Sequence, residues 1–416
     1  MKILWVSLVK FPPLCEFLGE DTPVHCGWLY SSAKALVASN DVELGVAIPT
    51  NEDQFNQYEL EGITYYLVPV KSIAKYGNPT LMYCQQIIDK FTPQIIHLHG
   101  TEYSLAAAFC EANDKKCRII ANIQGLASVI ARYTSASMSS WERLFHVSPL
   151  DFLRGTFMLR EKKVMSGRGR NEYRILSKVT DVIGRTSWDR AHVLTINPEV
   201  NYHFMNETLR DVFYEAPIWD YARCQKHSIF VSNSNPAYKG AHMVLKALPI
   251  ILKRFPDAKV YFVGQDVLSS KLKSILRFQG YHVYLRRLIK RLKLKNHVHF
   301  YGSLTAEEMK QAFLNAHVYV LPSAIENSPN SLCEAQILGV PVVSSFCGGT
   351  ADLVKHGYTG FLYRYEEYEM LAHLIMNLFQ QASYEELSLN ERNQALQRHN
   401  RELNAKRLFE IYNNCL

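Results

Sequence analysis

One stretch constrains this chain more than any other: Tyr319–Tyr363, YVLPSAIENSPNSLCEAQILGVPVVSSFCGGTADLVKHGYTGFLY. It reads as strand, loop, helix, strand, Gly-Gly loop, short helix, strand. Tyr319–Leu321 closes a buried apolar strand, and 322–328 is loop. Ser328-Pro329 predicts a helix start, with Ser as N-cap and Pro at the first helical position, where its missing N–H costs nothing. The helix runs through Leu332, Ala335 and Leu338 and stops at Gly339, with Pro341 just beyond. Val342-Val343 is the next strand, and Gly348-Gly349 lies at its carboxyl end.

Two carboxylates flank the helix start. Glu326 lies in the loop before it, and Glu334 follows eight residues later on the helix. The free N–H groups of the first turn, expected at Asn330 to Leu332, carry the positive end of the helix dipole and suit a phosphate. The neighbouring acids can then only accept hydrogen bonds, as sugar or ribose hydroxyls would offer. Two acids beside an anion site, with no metal-binding partners, point to a nucleotide-sugar. The plainer alternative is a solvated loop glutamate and an exposed helix glutamate.

E-N-S-P-N-S-L-C-E-A, followed by G-V-P-V-V-S-S, G-G and H-G-Y-T-G-F-L, resembles the E-x7-E signature of family 4 retaining glycosyltransferases, as found in bacterial polysaccharide biosynthesis. The resemblance implies the α/β GT-B fold, with two Rossmann-like doubly wound domains facing a cleft. It also implies a nucleotide diphospho-sugar donor held mostly on the C-terminal domain. Glu334 would accept hydrogen bonds from the ribose and Glu326 from the donor sugar. Asn330 and Ser331 would serve the phosphates by backbone N–H, and Gly348 and Gly349 would let the chain approach closely.

Lys239-Gly240, which precedes the helix starting at Ala241, matches the family's diphosphate lysine. A cation at a helix N-terminus is disfavoured unless an anion is present. The family usually adds an arginine about six residues earlier, and this chain has Asn233 there, which donates hydrogen bonds but no charge. Gly27 stands where similar enzymes place a glycine whose N–H meets the donor phosphate. They usually carry two glycines; this chain has Cys26-Gly27. In Ile95–Glu102, alternation puts His97 and His99 on one face of a strand, with His99 at its end. A strand-end histidine is commonly structural; the resemblance makes His99 catalytic, facing the transferred sugar, with Glu102 its neighbour.

At 416 residues the chain suits two domains. We expect 1–222 as an acceptor-side Rossmann-like domain and 223–399 as the nucleotide-sugar domain. Residues 400–416 are expected as a helix returning to the first, as is usual in this fold. Strands are readable at Ile3–Leu8, Val42–Ile48, Ile63–Val68, Ile95–Leu98, Ile119–Ala121 and Val182–Ile183. In the second half they recur at Ile229–Val231, Lys259–Val263, Val298–Tyr301, Val318–Leu321 and Val342–Ser344. No G-x-G-x-x-G occurs, so a nicotinamide site has no support. The stretch 122–173, rich in Ser, Arg and aromatics, is the expected acceptor side. Nine cysteines without a C-x-x-C pair argue for free thiols in a reducing compartment and against a zinc site. MKILWVSLVKFPP reads as a first strand and not a signal peptide. No apolar stretch approaches the roughly 18 residues that span a bilayer.

Net charge is +7, concentrated in Arg154–Arg174 and Lys271–Lys295. In the second segment Arg287, Lys290, Arg291, Lys293 and Lys295 interleave with Leu285, Leu288, Ile289, Leu292 and Leu294. Such a pattern is either an amphipathic helix with a solvated face or a surface for anionic lipid. Nucleic acid has no aromatic platform or motif to support it.

The expected function is transfer of a sugar, with retention, from a nucleotide diphospho-sugar (UDP-sugar favoured) to a saccharide or lipid-linked saccharide. Neither cofactor nor metal is needed, because a lysine and a helix dipole neutralise the leaving group. The expected location is cytoplasmic, with peripheral attachment at the inner membrane surface as an extension of it. The competing readings are a non-catalytic sugar- or partner-binding subunit and a sugar-nucleotide epimerase of the same fold.

Overall fold

The computed structural model describes residues 1–416 apart from 22, 24–26, 39–41, 73–74, 115, 155–157 and 382, so Cys26 lies outside the described residues. The chain divides into two compact units. The first comprises Met1–Val129, Val164–Arg210 and His399–Leu416; the second comprises Ile130–Lys163 and Asp211–Arg398. The segment 130–163, read from sequence with the first half, clusters with the second unit. So does 211–222, likewise read with the first half: Trp219 donates from its backbone to Leu338 O at 2.7 Å and from its indole to Ala316 O at 2.7 Å.

The first unit is built on eight strands among the described residues: β1 (Lys2–Val6), β2 (Glu43–Thr50), β3 (Asn56–Leu60), β4 (Ile63–Pro69), β5 (Ile95–His99), β6 (Arg118–Asn122), β7 (Asp181–Gly184) and β8 (Asn201–Phe204). Their order is β3-β4-β2-β1-β5-β6-β7-β8, parallel except for β3, which runs antiparallel to β4. Sequence patterning did not find β3 or β8, which are the two edges. β3 carries polar residues on both faces, and its signal is the Glu61-Gly62 turn, both residues with positive φ. The central strands are apolar on both faces because helices cover both, so their runs are continuous instead of alternating.

The returning helix is Arg401–Cys415, with Asn400 as its N-cap accepting from Leu403 N–H at 3.0 Å. Leu408, Ile411 and Tyr412 are buried in the first unit's core beside Trp5, Leu14 and Ile95. Tyr412 also enters a polar chain: Trp5 Nε1 donates to its hydroxyl at 2.9 Å, and that hydroxyl lies 2.6 Å from His97 Nδ1.

The second unit has six strands among the described residues, all parallel: β9 (Gln225–Val231), β10 (Lys259–Val263), β11 (Val298–Gly302), β12 (Ala316–Leu321), β13 (Val342–Ser345) and β14 (Phe361–Tyr363). Their order is β11-β10-β9-β12-β13-β14, so the loops that follow β9, β12 and β13 leave neighbouring carboxyl ends. In sheets of this kind that edge is where ligands bind. The helix after β12 spans Asn330–Leu338 and takes Pro329 as its N-cap position, one residue later than expected. Pro329 is extended (φ −71°, ψ 118°), and its carbonyl accepts from Leu332 N–H at 3.0 Å. That leaves Asn330 and Ser331, and not Leu332, as the first-turn donors without an intrahelical acceptor.

The basic helix of the second unit is Gly280–Arg291. Its Leu285, Leu288 and Ile289 are buried, as is Leu294 just beyond, whereas Arg287, Lys290, Arg291, Lys293 and Lys295 are exposed. Leu285, Leu288, Ile289 and Leu294 are therefore core residues, Leu292 is half-buried, and the basic side chains point outward.

Candidate functional site

The site grows from three loops at the carboxyl ends of β9, β12 and β13. After β9 the chain turns through the short 3-10 helix Ala237–Lys239 and enters the helix Ala241–Leu252 at Gly240. Gly240 has φ +74°, and a Cβ there would sit 1.7 Å from Pro322 O in the loop after β12. No other residue could make this approach without moving backbone. Ala324 N–H donates to Tyr238 O at 2.7 Å and closes the same junction.

A second close approach joins the loops after β12 and β13. Gly348 has φ +53°, and a Cβ on it would meet Glu326 O at 1.8 Å; Gly349 N–H donates to that oxygen at 3.1 Å. The Gly-Gly pair therefore lets this loop approach the Glu326 backbone closely.

These junctions place Lys239 beside Glu326, with Nζ 2.6 Å from Oε1. Ser323 Oγ donates to the same carboxylate oxygen at 2.6 Å. Burial pulls the Lys239 ammonium toward neutrality, but the Glu326 charge and hydrogen bond outweigh it, and its pKa is raised. The lysine is therefore a cation, half-buried against a nearly buried carboxylate. Cys347 borders the pair, and burial pushes its thiol up to about 12, so it stays protonated and is no nucleophile. Glu334 is buried on the Asn330–Leu338 helix, which disposes of the solvated-helix alternative. Ser331 is fixed from behind: the Tyr319 hydroxyl donates to its Oγ at 2.9 Å and lies 2.9 Å from Ser232 Oγ. Asn233 is held in a local turn, its Oδ1 accepting from Asn235 N–H at 3.1 Å.

Sequence reasoning missed Ser323 and Tyr319. Tyr319 had a signal, a hydroxyl-bearing residue in an otherwise apolar central strand. Ser323 had none, since its role depends on the loop's path.

In the first unit His99 ends β5, buried, with its ring 4.0 Å from that of His97 and 4.5 Å from that of Trp5. Burial, His97 and Arg185 together hold its pKa well below the ordinary histidine value, so it is neutral. Burial alone lowers His97 to about 3. Glu102 is buried and its pKa raised chiefly by desolvation. Near His99 lies an ion pair absent from the sequence expectations, Arg185 with Glu207, both buried, with Gln124 Nε2 donating to Glu207 at 3.0 Å. Gly27 opens the helix Gly27–Ala38. Among the described residues one set of potential metal ligands converges, Asp181, His203 and Cys415, within 4.8 Å of one another. Asp181 begins β7, at the strand end opposite to that of His99. Its carboxylate accepts from His203, Thr180 and Asn201, so the set is already a closed hydrogen-bonded group.

Residues 223–397 match the family model of glycosyl transferases group 1. The match covers nearly all of 211–398 in the second unit. Lys239, Glu326 and Glu334 all fall inside the matched residues. A sulfoquinovosyl transferase of Arabidopsis thaliana is 27% identical over 152 residues, 34% of this chain and 26% of the relative. A D-inositol 3-phosphate glycosyltransferase of Streptomyces griseus is 30% identical over 134 residues, 32% of this chain and 28% of the relative. This chain thus spans only about a quarter to a third of the curated relatives it matches.

Likeness in fold extends over the whole chain. Sucrose-phosphate synthase from Thermosynechococcus elongatus superposes with a TM-score of 0.71 at 14% identity, covering 100% of this chain and 98% of that one. Anabaena HepE in complex with UDP-glucose gives 0.67 at 16% identity, covering 100% of both chains. The chain therefore has the GT-B fold, two parallel-sheet α/β domains. Among the described residues no helix is long and apolar enough to cross a membrane.

Proposed function

We propose that this protein is a retaining glycosyltransferase that takes its sugar from a nucleotide diphospho-sugar, a UDP-sugar first among them, and passes it to a saccharide or lipid-linked saccharide. The observation that carries the reading is the Lys239–Glu326 pair, Nζ to Oε1 at 2.6 Å, beside the N-terminus of a helix that buries Glu334. Its setting, inside a glycosyl transferases group 1 domain, supports a sugar donor over any other anion. The donor's hydroxyls engage Glu326 and its diphosphate engages Lys239, so the substrate inserts into a preformed ion pair. As the bond to the sugar breaks, negative charge grows on the diphosphate. Lys239 and the N–H groups of Asn330 and Ser331 stabilise it there. The proton of the acceptor hydroxyl passes to the departing phosphate oxygen on the same face, which retains the anomeric configuration. A fixed ammonium and a helix dipole supply the positive charge, and the reaction proceeds without a metal. In the first unit, His99 is neutral through burial and offers hydrogen bonding without charge.

Purified protein should release UDP from a cognate UDP-sugar in excess chelator, with an α-configured product by NMR from an α-configured donor. Loss of turnover on chelation would overturn the metal-free mechanism, and a β-product the retaining one. Asn233, uncharged and tied into its own turn, favours a second reading, a subunit that binds donor without turnover. Donor-induced thermal stabilisation with no hydrolysis and no transfer would select it.

A further inference from the structure

The helices Ser140–Phe145 and Pro149–Arg154 carry five large apolar side chains outward. Trp141, Leu144, Phe145, Phe152 and Leu153 are between 59% and 82% exposed within 13 residues of chain. Trp141 and Phe145 stack on each other at 5.3 Å, one helical turn apart. Scattered apolar residues at a surface need no explanation, but five large ones on one helix pair do.

Their orientation is fixed from the polar side. Within the second unit, Tyr284 on the basic helix donates to Glu142 Oε1 at 3.1 Å, and Arg287 Nη1 donates to Phe145 O at 3.1 Å. The His146 ring meets Tyr284 edge-on at 5.0 Å. Gly280 opens the basic helix, and a Cβ there would stand 2.1 Å from His146 O, so the two segments are in backbone contact. Ser139 and Glu142 form a capping box on the first helix, and Ser148 and Asp151 exchange hydrogen bonds at the start of the second. These contacts fix the pair with its apolar face outward.

The flank of this face is cationic. Arg287 touches it directly, and Lys290, Arg291, Lys293 and Lys295 continue the exposed basic face of the same segment. An aromatic-rich apolar patch beside a ridge of lysine and arginine complements one kind of surface, an acyl boundary capped by anionic headgroups.

We infer that the Ser140–Phe145 and Pro149–Arg154 helices form an interfacial anchor that docks the second unit on an anionic phospholipid surface, with Arg287, Lys290 and Arg291 engaging the headgroups. Insertion is supplied by these aromatics and not by the leucines of the basic helix. The inference goes beyond the donor chemistry and stands without it, because binding to vesicles needs no turnover.

The test is flotation of the full chain with vesicles of phosphatidylcholine alone or with about a third phosphatidylglycerol, at low and high salt. Wild type should partition at least about tenfold more strongly to the anionic vesicles, and high salt should weaken it. W141S/F145S/F152S/L153S should lower that partition about tenfold or more while leaving the thermal melt intact, since all four side chains are exposed. K290E/R291E should weaken binding by more than about tenfold and reduce its salt dependence. Equal binding to neutral vesicles, or a serine variant that floats like wild type, would overturn the proposal. So would self-association in light scattering that the serine variant abolishes, with no vesicle binding, because the face would then join two copies of the chain.

Discussion

Lys239 and Glu326 are each other's partners before any substrate arrives, and this couples their mutational effects. Lys239→Ala should cost about 2–4 kcal/mol of transition-state stabilisation, the scale of losing one electrostatic donor. It also leaves the nearly buried Glu326 carboxylate without its counter-charge, held by the Ser323 hydroxyl. Lys239→Ala combined with Glu326→Gln should therefore be less damaging than the sum of the two, by about 0.5–3 kcal/mol in kcat/KM. Strict additivity would mean that the pair does not act as a unit. Glu334→Gln should raise the donor KM with little change in kcat, because a ribose contact is the same in ground and transition states. A fall in kcat at saturating donor would assign Glu334 to the chemistry. Away from the site, Glu172 is buried, and desolvation lifts its carboxyl from 4.5 to about 7 although Ala127 N–H and Ser128 Oγ donate to it. Between those values the folded chain keeps a proton that the unfolded chain has lost. Stability at this position is then full below about pH 4.5 and is lost as the pH rises toward 7, by up to about 3 kcal/mol. The melting temperature of Glu172→Gln relative to wild type should accordingly climb between about pH 5 and 7.5. A pH-independent difference would refute the burial argument.

At the scale of elements, sequence alone was most informative where the chain is buried on both faces. β1, β5, β9, β10 and β12 announce themselves as apolar runs because helices cover both sides of each sheet. The Asn330–Leu338 helix was legible through Pro329 and Gly339, although its start moved one residue because Pro329 sits extended and caps with its carbonyl. The edge strands β3 and β8 were not legible, since an edge need not be apolar. Nor were the contacts of Gly240 and Gly348, which depend on where two other loops run. Glu326, Glu334 and Lys239 could be chosen from the resemblance, but their spacing along the chain does not reveal a lysine 87 residues away in contact with Glu326. The final helix, Arg401–Cys415, shows what a single element can hold. Tyr412→Phe keeps the ring and removes the hydroxyl that meets Trp5 Nε1 and His97 Nδ1, both buried. Two buried polar atoms then lose this partner, which should cost about 2–4 kcal/mol in denaturant unfolding. A loss below about 0.5 kcal/mol would show that the polar chain contributes nothing to seating the helix.

At the scale of the whole molecule, two sheets with separate cores need not unfold or respond to ligand as one. The group 1 domain match, the Lys239–Glu326 pair, Glu334 and the first-turn N–H groups all belong to the second unit. Bare UDP, which has ribose and phosphates but no sugar to present, should therefore stabilise that unit. At a concentration about a hundredfold above its Kd the gain is about 2.7 kcal/mol for whatever structure the nucleotide requires to be folded. Hydrogen exchange can locate that gain. Protection should rise at Asn330 and Ser331, in the loops after β9, β12 and β13, and in the helix Ala241–Leu252. The amides of β1, β5 and β6 in the first unit should exchange as before. If β5 and its neighbours gain as much protection as the loops around Lys239, the nucleotide part of the donor is not held by the second unit alone. The division of labour assigned here to Glu334, Asn330 and Ser331 would then have to be shared with the strand ends that carry His99.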